Sequence, residues 1–236
     1  MTEILCHNDS YLREFDATVV AVLDRGVVLD RTVFYPGGGG QPTDMGILTS
    51  GGDRYVVKKL SRIDSQVVHE IEGDDRSVVG DEVHGVIDWE RRYSLMQTHT
   101  ALHIMGGIVW RDFGAHITGG DMKPGSGRLD FELDQMSSGF AGEVEKSINE
   151  EVTIGREIVI KMLPREEAFQ IPDLIRTKIN LLPAGIQEVR IVDIKGLDLQ
   201  ADGGTHVANT REVGTVRVVG HGSKGRINKR LRIEVG

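Results

Sequence analysis

Gln97-Thr98-His99-Thr100-Ala101-Leu102-His103 lies inside a run whose apolar residues Leu95, Met96, Leu102, Met105, Ile108 and Val109 recur at helical spacing to about Arg111. Asp88 is placed to cap that helix, because its carboxylate can accept an otherwise unpaired N–H of the first turn. The helix divides the chain. Before it, β-branched runs at Thr18–Leu23, Val27–Phe34, Tyr55–Leu60, Gln66–Ile71 and Glu82–Ile87 are broken by the turn signals Asp24-Arg25-Gly26 and Ser50-Gly51-Gly52-Asp53. Such spacing suits antiparallel pairing and predicts a small β-barrel. After it, Gly127–Leu133, Glu157–Leu163, Val189–Ile194, Thr215–Val219 and Arg230–Val235 read as strands, the last two as a closing hairpin. Gly139–Val152 reads as an amphipathic helix, and Pro164–Ala168 starts a short one with proline early, where its missing N–H costs little. The expected fold class is α+β, with a domain over residues 1–88 followed by an α/β domain over 89–236 whose sheet is mostly antiparallel.

His99 and His103 are four residues apart, slightly more than one helical turn, so both imidazoles project from one face. About a hundred residues later comes Asp202-Gly203-Gly204-Thr205-His206, where the glycines permit a tight turn that could aim His206 and Asp202 back at the helix. Three histidines with an open position are the zinc arrangement that polarises a water or a substrate, and Asp202 is a candidate fourth ligand. Two histidines four apart also occur as ordinary helix packing.

A third motif is Phe34-Tyr35-Pro36-Gly37-Gly38-Gly39-Gly40-Gln41-Pro42-Thr43-Asp44. It is not a nucleotide-hydrolysing loop, since no Gly-Lys-Ser/Thr follows. It reads either as a plain tight turn or as a flexible wall whose N–H groups, at Gly38, Gly39 and Gly40, and the Gln41 amide approach a substrate.

With these three motifs together, the chain resembles the AlaX group, the free-standing alanyl-tRNA editing proteins, which are similar to the editing domain of alanyl-tRNA synthetase. The resemblance covers nearly the whole chain and is nearest the medium-length form. It implies one Zn2+ held by His99, His103 and His206, and hydrolysis of serine or glycine misattached to alanine tRNA, with the correct alanyl ester spared. The partner it implies is therefore mischarged alanine tRNA. Thr118, Asp202 and Gln41 are the candidate catalytic residues, and Gly38, Gly39 and Gly40, with the Gln41 amide, are the candidates for contact with the substrate's adenosine or aminoacyl end. The synthetase pattern is Cys-x-x-x-His, and Asp202 stands where the cysteine would be. A carboxylate is a harder ligand than a thiolate, which leaves Asp202 three roles: a weaker ligand, a ligand through a water, or a base. By similarity to the smallest members, Thr118 in His116-Ile117-Thr118-Gly119-Gly120 reads the serine hydroxyl; an ordinary loop hydroxyl is the other reading.

Charge is divided unevenly along the 236 residues. The total is −8, but residues 1–90 hold 8 Lys+Arg against 17 Asp+Glu, and the remainder is nearly neutral. Between 211 and 232 the residues Arg211, Arg217, Lys224, Arg226, Lys229, Arg230 and Arg232 face only Glu212, a local patch suited to phosphates. Nucleic-acid affinity depends on such clusters rather than on the total; a solvated hairpin is the alternative. The single Cys6 excludes an internal disulfide framework and fits a reducing compartment. No stretch has the length of a membrane span, so the expectation is a cytoplasmic protein with no membrane contact and no obligatory protein partner.

Two other function classes follow from the same residues. A tRNA-binding module with a structural metal would need four firm ligands, which Asp202 could complete. A zinc peptidase is disfavoured, because His-Thr-Ala-Leu-His lacks the glutamate base beside the first histidine.

Overall fold

The computed structural model describes residues 2–64, 66–72, 78–135, 137, 139–177, 185–223 and 225–236. In chain order its strands and helices are β1 (Glu3–Ile4), β2 (Glu14–Leu23), β3 (Gly26–Leu29), β4 (Arg31–Thr32), β5 (Gly46–Ser50), β6 (Asp53–Ile63), β7 (Gln66–Ile71), β8 (Glu82–Ile87), α1 (Trp89–Phe113), β9 (Ile117–Lys123), β10 (Ser126–Glu132), α2 (Phe140–Ile154), β11 (Ile158–Pro164), α3 (Arg165–Ala168), β12 (Glu188–Ile194), β13 (Asp198–Ala201), β14 (Val216–Ser223) and β15 (Asn228–Val235). The chain forms two compact units, Met1–Tyr93 and Ser94–Gly236.

In the first unit, β2, β3, β7, β6, β5 and β8 close a barrel in that order, every pair antiparallel. Alternation along β2 turns Phe15, Ala17 and Val19 inward, where they join Leu29, Phe34, Leu48, Val57 and Val83 in the core. Each such side chain contributes about 1.5–3 kcal/mol on burial. Gly51 and Gly52, at φ 59° and 97°, form the two-residue hairpin between Ser50 and Asp53, where positive φ at both positions matches the twist of the strands. The expected strand Val27–Phe34 is interrupted at Asp30. Its carboxylate accepts the N–H groups of Thr18 and Arg31 at 2.8 and 2.9 Å, so a side chain replaces the ladder there.

Asp88 caps α1 by accepting the Arg91 N–H at 3.1 Å. From Thr98 to Val109 every residue of α1 is buried, so this stretch is a core helix rather than a surface helix with one apolar stripe. The second unit contains two antiparallel sheets, one in the order β14-β15-β10-β9 and one in the order β11-β12-β13. α2 buries Phe140, Val144, Ile148 and Glu151, spaced three or four apart, and ends at Gly155 with φ 74°. Asn149 fixes it to β14, donating to the Val216 carbonyl at 2.8 Å and accepting the Val216 N–H at 3.0 Å. The mixed architecture with an amino-terminal barrel is the α+β class the sequence predicts.

Candidate metal centre

The site is assembled from His99 and His103 of α1 and the segment that follows β13, all within the second unit. β12 and β13 form a hairpin across Lys195, Gly196 and Leu197, closed by the Leu197 N–H donating to Ile194 at 2.9 Å. β13 ends at Ala201, and Asp202 and His206 come directly after it. The turn between them is made by Asp202 itself, whose Oδ2 accepts the Gly204 N–H at 2.7 Å. Gly203 and Gly204 are not among the positive-φ positions, so the bend rests on a carboxylate-capped turn rather than on glycine's extra freedom. Arg190 of β12 steadies the same segment, donating Nη1 to the Asp202 carbonyl at 2.9 Å and accepting the Asp202 N–H on its own carbonyl at 3.1 Å.

His99, His103, His206 and Asp202 each present one ligand atom, all within 4.8 Å of one another. The three rings pack mutually, with centroids 4.3 Å apart for His99 and His206, 4.7 Å for His103 and His206, and 5.1 Å for His99 and His103. The Asp202 oxygens lie 3.1 Å from His206 Nε2 and 3.7 Å from His99 Nε2. The first distance is to Oδ2 and the second to Oδ1, and zinc bonds of about 2.0–2.1 Å place tetrahedral donors about 3.3 Å apart, so either oxygen is within a few tenths of an ångström of that spacing from the imidazole it faces.

Protonation at His99, His206 and Asp202 also favours a cation. Burial holds the His99 imidazole well below its ordinary value and pushes His206 down to about 4, so both are neutral, with a lone pair to give, at pH 7. For His103, burial opposes the charged form, but the hydrogen bond to Asp198 outweighs it and the pKa rises. Burial would also raise Asp202, yet the facing imidazoles of His99, His206 and His103 hold its carboxyl well below the usual carboxylate range. Three imidazoles and one carboxylate therefore form a donor set of the right kind and size for Zn2+.

Two of the rings, His103 and His206, are oriented by a neighbour outside the donor set. His103 Nδ1 lies 2.9 Å from Asp198 Oδ2, and His206 Nδ1 lies 3.2 Å from Thr100 Oγ1, a hydroxyl fully buried on α1. Asp198 and Arg190 are not marked by any motif, and Thr100 lies in the histidine motif with nothing to mark its role; only the folded elements bring them to the histidines.

The other sequence candidates are carried by other elements. Thr118 is on β9 and not in a loop; it is exposed, and its hydroxyl donates to Asn228 Oδ1 of β15 at 2.9 Å. Gly38, Gly39, Gly40 and Gln41 belong to the first unit. There Gly38 and Gln41 exchange backbone hydrogen bonds of 3.1 and 2.9 Å across Gly39 and Gly40, at φ 59° and 88°. The turn is braced by Tyr35, whose hydroxyl donates to the Gly38 carbonyl at 3.1 Å, while Gln41 is 2% exposed.

The basic patch is only partly open. Lys229 is buried and donates to Ser223 Oγ, Arg226 O and Gly225 O, and Arg230 forks onto Asp130. Arg211, Arg217, Arg226 and Arg232 are exposed, and Lys224 lies outside the described residues. His116 is exposed with its ring 4.9 Å from Trp110. His69 is buried in the barrel, and His84 sits against Asp16. Among the described residues no helix is long and apolar enough to cross a membrane.

Comparison with known families matches residues 6–91 to the class II (A) tRNA synthetases and residues 189–233 to the threonyl and alanyl tRNA synthetase second additional domain. The chain is thus built of tRNA synthetase-related domains. It is 40% identical over 233 residues to the alanyl-tRNA editing protein AlaX-M of Saccharolobus solfataricus, and 39% identical over 237 residues to that of Methanosarcina barkeri, covering 98% of each chain in both cases. It is also 35% identical over 221 residues to the alanine–tRNA ligase of Pyrococcus furiosus, covering 92% of this chain and 24% of the ligase. The chain belongs to the AlaX-M family of alanyl-tRNA editing proteins.

Proposed function

We propose that this protein is a trans-acting deacylase that hydrolyses Ser-tRNA(Ala), and Gly-tRNA(Ala), while sparing Ala-tRNA(Ala), in the cytoplasm. The observation that carries the reading is the convergence of His99, His103, His206 and Asp202, in a chain similar end to end to alanyl-tRNA editing proteins. An aminoacyl-tRNA is an ester, so its hydrolysis needs a placed water, a stabilised oxyanion and little acid assistance to the leaving ribose. His99, His103 and His206 would hold one Zn2+, which supplies Lewis acidity toward a water or the ester carbonyl. Asp202, kept ionised beside the imidazoles, accepts the proton of the attacking water. Its Oδ2 is held by the Gly204 N–H, which fixes the direction from which it acts.

Selectivity must favour the larger amino acid. A site that hydrogen-bonds a hydroxyl can reject the analogue without one, because its own polar group would be desolvated with no partner. Thr118 takes that part for serine, exchanging its bond to Asn228 for one to the substrate. The Gly38–Gly40 turn and Gln41 approach the adenosine or aminoacyl end, and exposed Arg217, Arg226 and Arg232 meet backbone phosphates.

One observation favours a second reading. Asp202 offers an oxygen within 4.8 Å of a ligand nitrogen on each of the three imidazoles, close enough for a fourth corner, and four protein ligands are the mark of a structural zinc. The protein would then be a tRNA-binding module without hydrolase activity. Hydrolysis of Ser-tRNA(Ala) beside Ala-tRNA(Ala), with zinc content determined on the same sample, separates the two. Zinc-dependent loss of serine alone supports the deacylase; no turnover by fully metallated protein supports the module.

A further inference from the structure

We propose that Asp198 is the positioning residue of the metal centre: it fixes the proton of His103 on Nδ1 and thereby directs the Nε2 lone pair into the cluster. The inference rests on the reading that His103 binds a metal, and extends it to a residue outside the donor set.

Asp198 opens β13, four residues before Asp202, and its side chain is fully buried. Three donors converge on its carboxylate. His103 Nδ1 lies 2.9 Å from Oδ2; Gln200 Nε2 donates to Oδ2 at 2.8 Å and to Oδ1 at 3.1 Å; Arg176 Nη1 donates to Oδ1 at 2.5 Å. With a guanidinium as counter-charge the carboxylate is an acceptor only, so the His103 nitrogen that faces it must carry the proton. The lone pair is then on Nε2, the other side of the ring, toward His99, His206 and Asp202.

Packing shows that this approach is built in. Gly107 stands one helical turn beyond His103, and a Cβ there would lie 3.1 Å from the Asp198 Cβ and 3.2 Å from the Leu197 carbonyl oxygen. The missing side chain lets the start of β13 come down onto α1 where His103 is in reach. Gln200 and Arg176, the latter 5.6 Å from the Trp110 ring of α1, then hold the carboxylate from the other side. A buried carboxylate with a cation and an amide already bonded to it needs no histidine to be satisfied, so its third contact is available to orient the ring. Outer partners of this kind set the tautomer of a ligating histidine, and their loss weakens metal binding by about 10- to 100-fold.

The test is made on the full chain. In wild-type protein labelled with 15N-histidine, at a pH high enough to leave the ring neutral, the His103 signal, assigned by its loss in His103→Asn, should show the Nδ1–H form both without metal and with Zn2+. An Nε2–H form in the metal-free protein overturns the proposal, and this readout needs no variant at Asp198. In Asp198→Asn, Zn2+ affinity measured by chelator competition should fall about 10- to 100-fold, and the visible absorption of the Co2+-loaded protein should shift in position. Unchanged affinity with an unchanged Co2+ spectrum, in a variant whose far-ultraviolet circular dichroism matches wild type, overturns it. If wild type binds neither Zn2+ nor Co2+, the metal reading itself fails, which the affinity of the unaltered chain shows before any variant is made.

Discussion

Arg92 donates Nε to both carboxylate oxygens of Asp44, at 3.1 and 2.9 Å, and the two side chains are 0% and 1% exposed. Arg92 Nη2 also donates to Asp44 Oδ2 and to the Val33 carbonyl, the latter at 2.6 Å; Nη1 donates to the Ser10 carbonyl at 3.0 Å, and Asp44 Oδ2 accepts the Tyr35 N–H at 2.7 Å. One ion pair thus ties the first turn of α1 to both ends of the glycine motif, Tyr35 and Asp44. Asp44→Ala would leave a guanidinium buried without its counter-charge, and the expected loss is about 3–5 kcal/mol. Urea unfolding followed by tryptophan fluorescence measures it; a loss under about 1 kcal/mol would show that water or another group replaces the carboxylate.

Burial pushes the His69 imidazole down from 6.5 to about 4, inside a barrel where its Nε2 lies 2.8 Å from Thr32 Oγ1 and its ring meets Phe34 edge-on. The unfolded chain therefore binds the proton more readily than the folded one. Stability from this group is whole above about pH 6.5 and declines as pH falls toward 4, by about 3 kcal/mol in all. His99 and His206 titrate in the same direction, so the measurement is a difference. His69→Gln should unfold with a shallower loss between pH 7 and pH 4.5 than wild type, and parallel curves would refute the assignment to His69.

For the metal, His206→Ala removes one of the three imidazoles and should abolish zinc binding and ester hydrolysis together. The strands of the first unit contain none of the donor set, so their circular dichroism should persist. Retained deacylation by zinc-free variant protein would remove the metal from the mechanism.

Thr118→Val replaces the hydroxyl by a methyl of similar size. The ratio of seryl to alanyl ester hydrolysis should fall by about one to two powers of ten, read from kcat/KM on the two charged tRNAs. An unchanged ratio assigns the Thr118 hydroxyl to its bond with Asn228 alone.

At Gly39 the backbone is left-handed, φ 59°, a conformation asparagine adopts with little strain. Gly39→Asn should leave the unfolding midpoint nearly unchanged. If the turn only reverses the chain, deacylation is unchanged too. A rise in KM with no loss of stability is the outcome expected from close approach of the substrate to this backbone.

The barrel was legible where strands are β-branched on the buried face. Gln66–Ile71 and Glu82–Ile87 are read to the residue. β5 escapes because it begins at Gly46, which reads as a breaker; a Cβ there would lie 2.2 Å from the Val86 carbonyl oxygen, so glycine serves close strand packing. β9 escapes for a related reason, with Gly119 and Gly120 reading as a turn while pairing with Asp130 and Leu129. At the site, helical spacing reveals His99 and His103, but β13 is invisible. Its Asp198 and Gln200 look like solvent-facing residues; Asp198 is buried against His103 and Arg176, partners that sequence distance conceals, and Gln200 is buried by bonding to Asp198 in turn.

The central place of β15 bears on how the chain is made. Leu231 pairs with Leu129 on one side and with His221 on the other, so the four-stranded sheet is completed by one of its last-synthesised segments. During translation β10 emerges with only β9 beside it, and its other edge stays open while some hundred further residues are added. An open edge is a template for pairing with another chain, and contacts this distant in sequence form slowly. The barrel can fold while the ribosome is still working, but the second unit cannot close its sheet until residue 235 has left the exit tunnel. For that interval β10 carries one unpaired edge.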